Sequence, residues 1–339
     1  MKVLLIGSYP PPLGGVSVFV KRYKRQLEDA GHTVDTLDPT RLAKTRLYRE
    51  LLRAPAKQYD LISLNFPSLY IMAALLVLGL SKRTEVFDHN WRLLEKWNAL
   101  ERRFYIIFLN NCRELVLVAP HLQTYYHEQR IPLPHARTRI QHAFIPPPAE
   151  DEAPILESYS VDVREFLARS RPLLVANSFR ITFHNGTDLY GLDMCVELVA
   201  RLKQTHPRVG LLFALAEIGD PDYYERIRQK IVAHGIVQNF HFLTGQKEIW
   251  PLFKRADAML RPTFTDGYAL SVAEAIHFGC PVLASDAAER PPQATLFANR
   301  NQQDFQQKCL ALLSTSTRRE NNSQDETTGN GDTGKRGNG

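Results

Sequence analysis

Short apolar runs alternate with segments of helical period through the first 313 residues of the chain. The run Lys2–Gly7 predicts a first β-strand, and apolar positions at helical spacing from Val16 to Ala30 predict a helix that Gly31 ends. Each further apolar run is followed by helical sequence, which is the pattern of a parallel sheet covered by helices on both faces. The other strands predicted in this half are Thr33–Leu37, Tyr59–Asn65, Glu85–His89 and Glu114–Val118.

A proline- and acid-rich stretch, Ile145–Pro154, interrupts this alternation and predicts a linker or a loop at a domain edge. The pattern then restarts, so we predict one α/β domain at 1–150 and a second at 151–313. Residues 314–339 contain no large apolar side chain, so we expect a disordered polar tail that buries too little surface to offset its ordering entropy. The strands predicted for the second domain are Pro172–Asn177, Val209–Ala216, Phe240–Leu243, Ala256–Leu260 and Pro281–Ala284, and the helices are Leu189–Thr205, Tyr223–His234, Gln246–Lys254, Ala269–Phe278 and Gln302–Leu313.

The composition is that of an ordinary globular protein, with 44% hydrophobic and 23% charged residues among 339. The longest apolar stretch, Leu69–Leu80, is too short to span a bilayer and predicts a buried helix. The apolar run at the N-terminus is likewise too short for a signal peptide. The four cysteines form no CxxC pair, which argues against a disulfide scaffold and a zinc knuckle and favours a reducing, cytoplasmic location.

Positive charge is concentrated in the first domain, where residues 1–150 hold 21 Lys and Arg against 13 Asp and Glu. This excess favours anionic ligands or an anionic membrane surface. Nucleic acid is disfavoured, because the basic residues lack an accompanying aromatic or basic-region motif. Residues 41–57 predict a basic amphipathic helix, either a membrane-surface element or a helix packed on its own domain. Its apolar residues are Leu47, Tyr48, Leu51 and Leu52, and the basic residues around them are Lys44, Arg46, Arg49 and Arg53.

Two loops are candidates for chemistry, since ligands of parallel α/β sheets bind beyond the carboxyl ends of the strands. In the first loop Gly14 and Gly15 precede a helix, where backbone amides can approach an anion, so they are candidate donor-binding residues, with a purely structural turn as the alternative. The second loop carries Asp266, and the helix after it carries Glu274 with seven residues between them. Because Glu274 lies among apolar residues, its carboxylate needs a partner, and a vicinal diol can donate two hydrogen bonds to it.

The segment Met259–Ser285 resembles the donor-binding signature of the GT-B retaining glycosyltransferases of group 1 (family GT4), in which two acids are separated by seven residues. The Gly-Gly loop, Gly31-His32 after the first helix, and Arg261-Pro262 are similar to the same family. The resemblance implies an α/β fold of two facing Rossmann-like domains with parallel sheets and an interdomain cleft. The first domain would bind the acceptor and the second the nucleotide-sugar donor.

The resemblance assigns roles within this segment by position. Glu274 matches the acid that holds the nucleotide ribose, and Asp266 matches the acid that contacts the donor sugar. Asp266 stands where the family usually has glutamate, so its reach is shorter by one methylene. The residues whose backbone faces the sugar or the diphosphate are Gly267, Tyr268, Leu270 and Ser271.

Further positions outside this segment match the family. Arg180 resembles its diphosphate-binding arginine, and Gly245 its loop near the nucleobase. The lysine that usually accompanies the arginine is replaced by Tyr190, so Arg261 or Lys247 is a candidate substitute cation. His89 lies where family members carry a histidine near the reaction centre, and a structural histidine is the alternative.

The resemblance implies a retaining transfer of sugar from a UDP- or GDP-sugar to an acceptor hydroxyl. A lipid-linked glycan of cell-surface polysaccharide synthesis is the expected acceptor, with the enzyme cytoplasmic and peripheral on the inner face of the membrane as a further option. No DxD motif is evident, so we expect no metal and no cofactor, with the diphosphate charge met by Arg180, helix dipoles and amides. The alternatives are a non-catalytic nucleotide-sugar-binding partner subunit and a GT-B nucleotide-sugar epimerase. A sugar phosphorylase would need a pyridoxal-phosphate lysine, for which no motif is visible.

Overall fold

The structure is a computed structural model that describes residues 1–89, 97–134, 137–266 and 269–314. Its chain separates into two compact units. The first comprises Met1–Asp151 together with Asp266–Leu270, and the second comprises Glu152–Thr265 and the described residues from Ser271 onward. The residues of the expected tail from 315 onward lie outside the described part of the chain.

The first unit is built on a six-stranded sheet in which every neighbouring pair of strands is parallel, in the order β2-β1-β3-β4-β5-β6. The strands are β1 Lys2–Ile6, β2 Thr33–Leu37, β3 Leu61–Leu64, β4 Thr84–Asp88, β5 Glu114–Leu117 and β6 Thr138–Ile140. The helices are α1 Gly15–Asp29, α2 Lys44–Arg53, α3 Leu69–Val77, α4 Ala99–Asn111 and α5 Pro120–Glu128.

Burial follows the apolar pattern in this unit. The central strands β3 and β4 are buried at every position, as expected for strands covered on both faces. The stretch Leu69–Leu80 forms α3, which buries Ile71, Met72 and Leu75 in the core. No helix in the described ranges combines the length and the apolar character needed to cross a membrane. The short strand β6 escaped the sequence analysis because its residues, Thr-Arg-Ile, carry no apolar run.

The second unit repeats the architecture, with a parallel sheet in the order β11-β10-β7-β12-β13-β14 and a small antiparallel hairpin β8-β9. The strands are β7 Leu173–Arg180, β8 Phe183–His184, β9 Thr187–Asp188, β10 Gly210–Glu217, β11 Phe240–Thr244, β12 Ala258–Arg261, β13 Val282–Ser285 and β14 Thr295–Phe297. The helices are α6 Glu152–Glu157, α7 Val161–Arg169, α8 Leu192–Leu202, α9 Pro221–Ala233, α10 Leu270–His277 and α11 over residues 302–314.

Two predictions in this half need correction. The second part of the expected linker Ile145–Pro154 is helical, since Glu152 opens α6 with an acid and Pro154 falls in the first turn, where no N–H is required. The predicted helix Gln246–Lys254 is only a short 3₁₀ helix, Trp250–Lys254. Gly245 turns the chain into a loop over residues 245–249, and Pro251 lies at the start of the 3₁₀ helix.

Both sheets reverse their strand order at a switch point, which is where open α/β sheets bind ligands. In the first unit this point lies between β1 and β3, and in the second it lies between β7 and β12. Gly7 follows β1 and Asn65 follows β3 in the first unit. In the second unit Ile181 follows β7, and β12 ends at Arg261.

Candidate functional site

The switch point of the second unit brings two arginines to neighbouring strand ends. Arg180 is the last residue of β7 and is exposed, while Arg261 ends β12 and is buried. Beside them the buried side-chain oxygens Asn177 Oδ1 and Ser178 Oγ make no hydrogen bond within the described chain. A buried polar oxygen without a partner is unusual in a folded protein and marks a place where a ligand or water completes the bonding.

The helix that carries the predicted acid, α10, begins at Leu270, and Ser271 lies in its first turn. Glu274 is buried in its second turn, between the buried residues Val272 and Ala275. Asp266 is half-buried in the loop that leads into this helix. The candidate residues Gly267 and Tyr268 lie outside the described residues.

Gly245 follows β11 at the same carboxyl edge of the second sheet. Its φ of +93° lies in the left-handed region, where glycine is the residue of least strain, and its N–H donates to Leu215 O at 3.0 Å. The glycine thereby turns the chain away from the strand. Lys247 donates from Nζ to Ser158 O at 2.8 Å, so this candidate substitute cation is bound elsewhere in the unit.

In the first unit, Gly14 is the N-cap of α1, and its N–H donates to Ser17 Oγ at 2.9 Å. Neither Gly14 nor Gly15 has a positive φ, and a Cβ at either position would meet open space. Packing and backbone conformation therefore do not require glycine here. The open space fits the close approach of a ligand to the first turn of α1, with Gly14 contributing room rather than its N–H.

His89 follows β4 and is held by three groups of the first unit. Its Nε2 lies 2.9 Å from Asn65 Oδ1, and its ring contacts those of Phe19 and Phe87, with centroids 4.8 and 5.9 Å away. Desolvation lowers the pKa of the imidazole to about 3. At neutral pH the ring is uncharged, so a catalytic role of His89 must use the neutral imidazole and its hydrogen bonds.

Behind His89 lies a buried polar network that the sequence analysis missed. Asn65 Nδ2 donates to Ser63 Oγ at 3.1 Å, and Ser63 is in turn hydrogen-bonded to the carboxylate of Glu85. Burial raises the pKa of Glu85 above its ordinary range, opposed by hydrogen bonds from Ser63 and from Tyr23, whose hydroxyl donates to Glu85 Oε1 at 3.1 Å. Asn65 and Ser63 end a predicted strand, and this position at the carboxyl edge was the signal available in the sequence.

Acids, histidines and cysteines are the side chains that would form a metal site. Over residues 1–89, 97–134, 137–266 and 269–314, no group of three or more of these side chains is arranged to hold a metal ion. Metal-independent chemistry stays a prediction, to be tested with a chelator.

Residues 180–325 match the family described as Glycosyl transferases group 1, and this match confirms the resemblance. Over 95 residues the chain is 30% identical to the lipopolysaccharide glucosyltransferase WaaG of Escherichia coli K12. That alignment spans 28% of this chain and only 24% of WaaG.

Solved structures of similar fold cover nearly the whole chain. Anabaena Alr3699/HepE, in complex with UDP-glucose, is 16% identical, covers 94% of this chain and 91% of its own, and superimposes with a TM-score of 0.66. A glycosyltransferase from Rickettsia africae ESF-5 is 13% identical, with coverages of 92% and 88% and a TM-score of 0.68. The predicted GT-B fold is thus confirmed, with two parallel six-stranded sheets.

Proposed function

We propose that the protein transfers a glycosyl group, with retention at the anomeric carbon, from a UDP- or GDP-sugar to an acceptor hydroxyl. The observation that carries the proposal is the burial of Glu274 in α10, which follows the same switch point where Arg180 ends β7. A buried carboxylate suits a ribose diol, and an exposed guanidinium suits a diphosphate. The match to the group 1 family over residues 180–325 supports the same assignment.

In this proposal residues between Arg180 and Glu274 hold the donor. Glu274 accepts hydrogen bonds from the two ribose hydroxyls, Arg180 pairs with the diphosphate, and the N-terminus of α10 at Leu270 and Ser271 adds its dipole. Gly245 leaves room beside the nucleobase, and Asp266 contacts the hydroxyls of the transferred sugar. Charge that develops on the departing diphosphate is stabilised by these fixed groups, which need no reorganisation during the reaction.

The first unit binds the acceptor. The neutral ring of His89 orients the acceptor hydroxyl by hydrogen bonds, and Gly14 and Gly15 at the first turn of α1 keep the donor-binding role predicted from the sequence. Since a pKa near 3 makes His89 a weak base, the departing diphosphate itself takes the proton from the acceptor hydroxyl. This front-face course leaves the new bond on the same side of the sugar ring as the old one.

The donor assignment is tested with Glu274→Gln and Asp266→Asn, which keep the size of each side chain. We expect Glu274→Gln to weaken both the free nucleoside diphosphate and the nucleotide sugar by about tenfold or more, because a charge-assisted bond is worth about 1.5–3 kcal/mol. Asp266→Asn should weaken the nucleotide sugar only. Isothermal titration calorimetry with UDP, UDP-glucose, GDP and GDP-mannose measures both; equal losses of diphosphate and sugar donor in Asp266→Asn would contradict the assignment.

Two other functions are separated by a simple assay. A non-catalytic partner subunit would bind the nucleotide sugar without releasing sugar, and an epimerase would convert the free donor into its epimer. A glycosyltransferase without acceptor releases free sugar slowly by hydrolysis. Chromatography of a donor incubated with the protein distinguishes these outcomes.

For the acceptor we propose a lipid-linked glycan at the cytoplasmic leaflet, in keeping with the lipopolysaccharide glucosyltransferase among its relatives. The support within this chain is α2. The helix turns Leu51 into the core and leaves Tyr48 and Leu52 exposed, Leu52 by 67%. The apolar face expected from the sequence is therefore divided, with one side packed on the domain and the other open. Around the open side the exposed basic residues are Lys44, Arg46, Arg49 and Arg53.

Sedimentation with vesicles tests this surface. We expect binding to vesicles that contain phosphatidylglycerol at low salt, since a basic residue near an anionic surface contributes about 1 kcal/mol. Leu52→Ser combined with Arg49→Glu should reduce that binding about tenfold or more. The matched control combines Val232→Ser, 66% exposed on α9 of the second unit, with Arg228→Glu on the same helix. If the protein bound neutral vesicles as well as anionic ones, or if the control variant lost as much binding as the α2 variant, the membrane proposal would be wrong. A water-soluble acceptor would then be the better proposal.

A further inference from the structure

We propose that Arg261, positioned by Tyr190, supplies the second positive charge of the diphosphate site in place of the lysine that Tyr190 replaces. The inference rests on the proposed function, because it names a further group of the same donor site. Arg261 would be a binding residue, and Tyr190 a positioning residue that acts through it.

The turn that carries Tyr190 is built tightly against the strand end that carries Arg261. Asp188 Oδ1 accepts a hydrogen bond from Tyr190 N at 3.0 Å, and its Oδ2 accepts one from the Tyr223 hydroxyl at 2.9 Å. Gly191 follows with φ +66°, and a Cβ there would lie 2.3 Å from Pro262 O. The turn is thus fixed from within by Asp188 and packed directly against the residue after Arg261.

A backbone bond joins the same two segments, since Phe264 N donates to Leu189 O at 2.8 Å. This arrangement places the ring of Tyr190 under the guanidinium of Arg261, with Cζ 5.3 Å from the ring centroid. The guanidinium also contacts the neighbouring strand, where NH1 donates to Asn177 O at 3.1 Å. The N–H donors of a guanidinium lie in the plane of the group, so stacking its face on an aromatic ring does not block them. The same guanidinium can therefore donate to a backbone carbonyl and to a phosphate.

The position of Arg261 also suits a diphosphate. β12 and β7 pair with Leu260 opposite Ala176, so Arg261 lies level with Asn177 and three residues before Arg180. At about 3.3 Å per residue, Arg180 lies about 10 Å further along the strand direction than Arg261, beyond the end of β12. Asn177 Oδ1 and Ser178 Oγ, buried and unbonded within the described chain, belong to the part of β7 that runs from this level to Arg180.

A lysine at position 190 would reach the same place with its ammonium group. In this chain the ring of Tyr190 occupies the position of the lysine side chain, and the positive charge is that of the Arg261 guanidinium stacked on the ring. The exchange keeps two cations at the site, and it replaces a flexible ammonium by a guanidinium held on two sides.

The test measures binding of UDP and GDP by calorimetry, with uridine and guanosine as ligands that lack the diphosphate. Arg261→Ala should weaken the nucleoside diphosphate about tenfold or more and leave the nucleoside unchanged, because only the former meets the cation. Adding Tyr190→Lys to Arg261→Ala should restore diphosphate affinity to within about threefold of wild type. As single variants, Tyr190→Phe should keep the wild-type affinity for the nucleoside diphosphate, and Tyr190→Leu should lower it. Arg255→Ala, which removes an exposed arginine at the other end of β12, is the matched control.

Each outcome separates this inference from the proposed function. If the wild type binds neither UDP nor GDP, the proposed function fails and the inference falls with it. If the wild type binds but Tyr190→Lys gives no rescue, or Arg261→Ala weakens the nucleoside as much as the diphosphate, Arg261 is structural. Should Arg261→Ala fail to fold, Arg261→Gln, which keeps a donor for Asn177 O, is measured in the same way.

Discussion

At the scale of single residues, environment rather than residue type decides what His89 can do. Its sequence position suggests a group near the reaction centre, and its ordinary pKa would allow a charge near neutrality. In the fold it contacts two aromatic rings and Asn65, and desolvation favours the uncharged ring. The consequence is a hydrogen-bonding group whose orientation depends on Asn65.

This environment predicts a pH-dependent contribution to stability. Because the pKa of His89 is about 3 when folded and about 6.5 when unfolded, only the unfolded chain takes up this proton between those values. The contribution is therefore fully present above pH 6.5 and is lost as the pH falls toward 3, by at most about 1.4 kcal/mol per pH unit. His89→Gln should lack this dependence, which urea unfolding of both proteins at pH 7 and pH 4.5 measures. Equal losses in the two proteins would show that the folded ring titrates normally.

At the scale of elements, the hairpin β8-β9 follows the strand that ends at Arg180. The turn between this hairpin and α8 carries Tyr190. The hairpin closes with Asn185-Gly186, both at positive φ, which is a favoured sequence for a two-residue turn. Gly191 ends the segment at positive φ against Pro262. Two glycines of similar φ thus differ in what surrounds them.

That difference gives a matched pair of variants. Gly186→Ala should cost about 1–2 kcal/mol, the penalty of a left-handed conformation in open space. Gly191→Ala should cost clearly more, because its Cβ would also meet Pro262 O at 2.3 Å, and should weaken binding of UDP or GDP by displacing Tyr190 from Arg261. Chemical denaturation and calorimetry of both variants compare the two. Similar losses for Gly186→Ala and Gly191→Ala would indicate that the turn can open away from Pro262 without cost.

At the scale of the whole molecule, two units of the same architecture carry different chemistry. The positive excess of residues 1–150 belongs to the unit proposed for the acceptor and the membrane, while the second unit carries the family match. Solved relatives at 13–16% identity cover more than nine-tenths of the chain. The fold therefore persists where most side chains differ, because burial requires an apolar pattern rather than particular residues.

Turnover requires the whole protein and tests how it handles charge. Arg180→Ala should lower turnover at least about a hundredfold, since a group aimed at developing charge contributes about 2.7–4 kcal/mol, while an exposed side chain at a strand end adds little to folding. Activity should survive EDTA. Complete loss of activity with EDTA, restored by Mg²⁺ or Mn²⁺, would replace the metal-free mechanism with a metal-dependent one. The matched control for folding is the melting temperature of the variant.

Local pattern along the chain is enough to predict much of the architecture and two of the acids. Strand and helix periods, the two successive α/β halves, and the acids Asp266 and Glu274 with their spacing are all visible along the chain. β6 and β14 are missing from that description because three residues cannot establish a period. The linker prediction is wrong for Glu152–Pro154 because composition alone does not separate an acidic loop from a helix with an acid in its first turn.

The protonation, stacking and exposure of the side chains follow from contacts between segments that are distant in the sequence. Burial lowers the pKa of His89, whose ring contacts Phe19 of α1, and the stacking of Tyr190 depends on Arg261 of another strand. In α2 the fold buries Leu51 and leaves Leu52 exposed, although both belong to one predicted apolar face. Local periods reflect neighbours within one turn or one pleat, whereas desolvation and ring stacking arise between segments that are adjacent only after the sheets have formed.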